Sequence, residues 1–102
     1  MEQSVDITNK TQFRTILDKA LATTDRDAEV SPSFYLHKVI RPQLELIDRC
    51  LKENRAPTIE ERKSLSLGQL AVREVEDTDE EYASWLMALA YAFRHWEQLG
   101  PK

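Results

Sequence analysis

Apolar residues recur along this chain at helical rather than strand spacing. Phe13, Ile16, Leu17, Ala20 and Leu21 fall at i, i+3, i+4, i+7 and i+8, the signature of one buried helical face. Asn9 stands where an N-cap belongs, and Gln12 three residues on completes a weak capping box. The polar stretch 23–29 lacks that period and reads as a loop. Ser31 and Pro32 then predict a new start, with Ser as the cap and Pro at the first helical position, where its missing N–H costs nothing. Leu36, Val39, Ile40, Leu44, Ile47 and Leu51 make the second stripe, and Glu45 with Arg49 and Asp48 with Lys52 are i,i+4 pairs on its other side. Pro42 removes the hydrogen bond to the Lys38 carbonyl, so this helix is expected to be kinked or split there. The stripe keeps its phase across the proline, which favours a kink.

Residues 54–57 read as a short linker, and Thr58 with Glu61 forms a capping box that opens a third segment. That segment either continues or re-nucleates near Ser66 to carry Leu67, Leu70, Ala71 and Val75. Gly68 within it marks a close helix–helix contact or a break. A second capping box, Thr78 with Glu81, opens the last helix, whose buried face is expected to hold Tyr82, Trp85, Leu86, Leu89, Phe93 and Trp96. Gly100 and Pro101 supply its stop. Residues 1–8 read as a flexible arm, extended around Val5 and Ile7. The expected fold is all-α, a compact antiparallel bundle of about four helices forming a single domain over 1–102.

Composition supports this reading. A 102-residue chain buries roughly 60–70 % of the surface its unfolded form exposes, so it needs no disulfide or structural metal. Two glycines are too few for a strand-and-turn architecture. Cys50 is the only cysteine and lies beside the second stripe, so it is expected to be a buried core thiol. The amino-terminal residues lack the basic start and apolar run of a secretory leader. The longest apolar run, 85–93, would span only about 14 Å as a helix, half of a ~30 Å hydrocarbon core. A cytoplasmic protein without a membrane partner is expected.

The net charge of −4 is concentrated. From Arg73 to Glu81, six acidic residues stand against one basic residue, a net −5 for that stretch. The run from Ser66 to Val75 has a faint helix-turn-helix look, but it leads into those acids where a DNA reader needs Lys and Arg, so nucleic acid is not an expected partner. His37 and His95 lie in different helices with no metal-ligand spacing around them, so neither metal nor cofactor is expected. A nucleophile needs a base and an orienting group, and no such set, nor any glycine-rich phosphate loop, is present. No catalytic residue is nominated, and a protein-binding role is favoured over an enzyme.

Leu65, Leu67, Gly68, Ala71, Val72, Arg73, Glu74, Thr78 and Asp79 together spell L-x-L-G-x-x-A-V-(K/R)-E-x-x-x-T-D. This run, with the small-aromatic pair Ala90 and Tyr91 in the helix after it, resembles the immunity proteins that neutralise a type VI secretion effector with NAD(P)+ glycohydrolase activity. The resemblance implies a helical, stoichiometric inhibitor that covers the toxin's active site. A toxin that binds an anionic dinucleotide is expected to carry basic residues at its cleft, which an acidic edge would complement. On that basis Glu74, Glu76, Asp77 and Asp79 are candidate partner-binding residues, with Arg73 facing a toxin acid and Tyr91 and Trp96 as candidate aromatic anchors. The same acids also read as a solvated helix junction. Two other readings stay open: immunity against a different nucleotide-targeting toxin, and a helical adaptor or chaperone for another protein.

Overall fold

Among the described residues, three long helices and a broken connection between the second and third make up the fold. The computed structural model describes residues 7–30, 36–75 and 79–100. Helix α1 spans Lys10–Val30, α2 Leu36–Glu53, α3 Ile59–Ser64 and α4 Leu67–Leu70; α4 widens without a break into a π-helical turn, Ala71–Val75. Helix α5 spans Glu80–Arg94 and is followed by a 3-10 turn, Trp96–Gln98. The fold is an all-α bundle, and among the described residues the only strand-like pairing is an isolated bridge between Asn9 and Gly100.

The contacts fix how the helices run. Lys10 reaches Asn54 at 2.8 Å, Arg14 reaches Asp48 at 2.6 Å, and Asp25 receives Arg41 at 2.5 Å, so α1 and α2 are antiparallel. Phe13 stacks obliquely on Trp96, with centroids 5.9 Å apart, while Thr24 meets Tyr82, so α1 is antiparallel to α5 as well. Helices α2 and α5 therefore run parallel, with α1 packed against both. Phe13, Leu17, Ile40, Leu44, Ile47, Leu67, Leu86, Leu89 and Phe93 are fully buried and form the centre of one hydrophobic cluster.

Several expectations need correcting. Residues 23–29 are not a loop, because α1 runs through them to Val30. Its buried face steps Phe13, Leu17, Ala20, Thr24, so the stripe continues with a hydroxyl-bearing residue where an apolar one would have shown the period. Thr24 is tolerated there because its hydroxyl donates to the Ala20 carbonyl at 2.7 Å. Val39 is 39 % exposed and drops out of the second stripe, which steps 36, 40, 44, 47 and 50 instead. Helix α2 is not split at Pro42: it is continuous, with the proline on its exposed side. Glu45 pairs back to Arg41 at 3.2 Å rather than forward to Arg49, whereas Asp48 and Lys52 pair at 3.2 Å as the spacing predicts.

The third segment breaks and re-nucleates. Thr58 caps α3 in a full capping box with Glu61, and α3 stops at Leu65, whose backbone is extended. The Gln43 side chain on α2 bridges the gap, accepting from Ser66 N at 2.7 Å and donating to Ser66 Oγ at 3.0 Å. Gly68 lies at a helix–helix contact rather than at a break: a Cβ placed on it would lie 3.8 Å from the Ala90 Cβ of α5, an ordinary van der Waals distance. The cap of α5 is Asp79, whose carboxylate accepts from Tyr82 N at 3.1 Å. Thr78, expected to be that cap, lies outside the described residues, as do Ser31, Pro32, Val5 and Pro101. Helix α5 ends at Arg94, ahead of the expected glycine stop. Gly100 has another task, its N–H donating to the Thr8 carbonyl at 2.8 Å. Ile7 packs on the core beside this contact, so the described end of the expected arm is tied down.

Candidate binding surface

The outward face of α5 is set by the same periodicity that builds the core. Leu86, Leu89 and Phe93 point inward, which turns Tyr91 away from them, and it is 63 % exposed. In the π-helical turn Ala71 and Val75 are buried while Val72 is 55 % exposed. The packing of α4 on α5 at Gly68 and Ala90 brings these two outward faces together. Between them runs a groove of about 530 Å³, with Gly68, Gln69, Val72 and Arg73 on one wall and Met87, Ala90, Tyr91, Arg94 and His95 on the other.

A second depression, about 450 Å³, lies on the opposite flank of Tyr91, against Ile7, Thr8, Ala88, Ala92, Gln98 and Leu99. Tyr91 is thus a ridge between two hollows, and His95 stacks on its ring with centroids 4.2 Å apart. A third hollow of about 360 Å³ adjoins at Arg94 and is lined by Ile59, Arg62 and Lys63 as well.

Helix α3 is held beside this surface by Arg62. Its guanidinium donates to the Arg94 carbonyl at 3.0 Å, near the end of α5, and to the Glu97 carboxylate at 2.9 and 2.5 Å. The Arg62 hydrogen bonds hold the Glu97 carboxyl down at about 2, against an ordinary value of 4.5. A carboxyl depressed by folding stabilises the fold above its unfolded value and loses that contribution as pH falls toward its folded one. An acid titration of Tm should therefore show Glu97→Gln declining less steeply than the wild type between pH 4.5 and 2. At neutral pH the two should differ little, because Glu97 is exposed and solvent screens the pair.

The residues nominated from the sequence are dispersed by the structure. Arg73 and Glu74 are exposed on the π-helical turn. Asp79 is partly buried and engaged as the α5 cap, while Glu76 and Asp77 lie outside the described residues. Tyr91 is exposed, but Trp96 is 6 % exposed, wedged against Phe13 beneath the Lys10 ammonium, so it belongs to the core rather than to an accessible anchor. Arg73 and Tyr91 meet across one groove. Nothing in the linear pattern nominates Met87, Arg94 or Ile59 for this surface. Val72 does carry a signal, as a large apolar residue out of step with the stripe at 67, 71 and 75.

Cys50 is fully buried, and burial pushes its thiol above the ordinary range. Among the described residues no group of three or more His, Cys, Asp or Glu is placed to hold a metal ion, and no helix is long and apolar enough to cross a membrane.

These features define a small all-helical protein that presents a shallow, open, aromatic-centred surface framed by charged side chains. The Tsi6 family model matches residues 12–95, from the first turn of α1 to the end of α5. The chain belongs to the Tsi6 family, a type VI secretion immunity family. No curated protein and no solved structure matches it.

Proposed function

We propose that this protein binds the toxin domain of a cognate type VI secretion effector stoichiometrically and blocks its active site, and that the toxin is an NAD(P)+ glycohydrolase. The observation that carries the reading is the Tsi6 match across residues 12–95. The motif over 65–79 supports the glycohydrolase part, since it resembles immunity proteins of that class. In this reading the acidic run, with Glu74, Glu76, Asp77 and Asp79, meets basic residues at the toxin's dinucleotide cleft, and Arg73 meets a toxin acid. Complementary charge speeds capture of a toxin that must be intercepted on arrival.

Co-expression with the toxin domain of the cognate effector tests this, with growth and cellular NAD+ as readouts. Growth is expected to be rescued with NAD+ preserved at the toxin-free level. Rescue from a toxin that never depletes NAD+ would keep the immunity role and discard the glycohydrolase. Absence of both binding and rescue would discard the inhibitor reading itself.

A further inference from the structure

We propose that the Tyr91 ridge is the anchoring surface for the toxin domain, and that it seats a toxin segment with an apolar centre and flanking carboxylates. This rests on the immunity reading above and names the face and the chemistry of its partner.

Three observations converge. Of the five large hydrophobic residues exposed among the described positions, Ile59, Val72 and Tyr91 all stand on the adjoining hollows of this one face. Exposed apolar side chains scattered singly need no explanation, but a cluster beside a groove marks an interaction site. The ring of Tyr91 is also held by its stack on His95, so less side-chain freedom is lost when a partner covers it.

Charge is segregated on the same face. Among the described residues, the hollows between α4 and α5 and between α3 and α5 are lined by Arg62, Lys63, Arg73, Arg94 and His95, and by no Asp or Glu, in a chain whose net charge is −4. Glu97 neutralises Arg62, which leaves Lys63, Arg73 and Arg94 around the apolar centre. Cations framing an apolar patch complement a segment with acidic flanks. The charge also disfavours a second copy of this chain: a two-fold contact over this face would set Arg73 and Arg94 against their own equivalents.

The test is calorimetric titration of the cognate effector's toxin domain with the wild type and with Tyr91→Ala, the double variant Arg73→Glu/Arg94→Glu, and Lys38→Glu. Lys38 is exposed on α2 and lines none of the three hollows, so it controls for charge reversal as such. Tyr91→Ala should raise Kd by roughly 30-fold, the scale of an aromatic hot spot, with an unchanged melting curve because the side chain is exposed. The double reversal should raise Kd at least about tenfold and flatten its salt dependence, while Lys38→Glu leaves Kd within about twofold. Wild-type affinity in both Tyr91→Ala and the double reversal would overturn the proposal and leave the immunity reading standing. A wild-type dimer that Tyr91→Ala converts to a monomer would overturn it in favour of a second copy. If the wild type itself fails to bind the toxin domain, both readings fall together.

Discussion

Phe13→Ala is expected to lower the unfolding free energy by about 3–5 kcal/mol, the range for truncating a fully buried aromatic. Phe13 has no exposed surface, sits in the first turn and a half of α1, and packs its ring on Trp96 at a 58° tilt. Removing it leaves a cavity at the point where α1 crosses the carboxyl end of α5. Trp96 also lies beneath the Lys10 ammonium, 5.3 Å from its ring centroid, a contact that opposes its moving into the cavity. Against a typical total of 5–15 kcal/mol for a domain, the loss is about a fifth of the stability or more. Urea denaturation followed by tryptophan fluorescence measures it, and Trp96 should report a wetter environment even below the transition. Phe13→Leu should recover most of the loss. A Phe13→Ala midpoint within experimental error of the wild type would show that this end of the bundle is not part of the cooperative core.

Thr24→Val should destabilise the protein by about 1–3 kcal/mol, more than Tyr82→Phe, although both remove the same hydrogen bond. The asymmetry follows from proton placement. The Thr24 hydroxyl spends its proton on the Ala20 carbonyl, so the 2.5 Å contact with Tyr82 is a bond donated by the phenol. Valine removes the acceptor and strands a buried phenolic O–H, whereas Tyr82→Phe leaves the Thr24 hydroxyl still bonded to its own helix. The double variant should therefore recover part of the Thr24→Val loss, and a double-mutant cycle by thermal denaturation reads that coupling directly. Burial already pushes the Tyr82 phenol above its ordinary range, with the Thr24 bond drawing it partly back. Equal losses in the two single variants would contradict the assigned proton.

This pair also explains why the carboxyl-terminal third of α1 escapes a reading by hydrophobic period. Helical residues 23–29 contain no large apolar side chain, and the buried positions are Thr23 and Thr24, the latter bonded to its own helix at Ala20 and to Tyr82 of α5. The reverse holds at Val39, an apolar residue one step off the face that α1 covers, and at Trp96, whose aromatic character fits an interface anchor as well as a core residue. Which role Trp96 takes is decided by Phe13, distant in sequence and adjacent in space.

The candidate surface shows the same division. Charge density along the chain draws attention to 74–81, because local sequence records which charges are neighbours on the chain. The basic frame around Tyr91 is assembled from Lys63 in the last turn of α3, Arg73 on the π-helical turn and Arg94 at the end of α5, and no local window contains all three. Its walls meet because α4 packs on α5 where Gly68 faces Ala90, a pairing of positions 22 residues apart that no local pattern specifies.

By itself the sequence determined the all-helical class, the capping box at Thr58 and most of the buried faces, because these follow from side-chain period and backbone capping within a few residues. Only the tertiary structure decided that α1 continues through its threonines, that α2 and α5 run parallel on either side of it, and that Trp96 is buried while Tyr91 is not. Those outcomes depend on which helix faces meet, and packing between residues far apart in the chain carries that information.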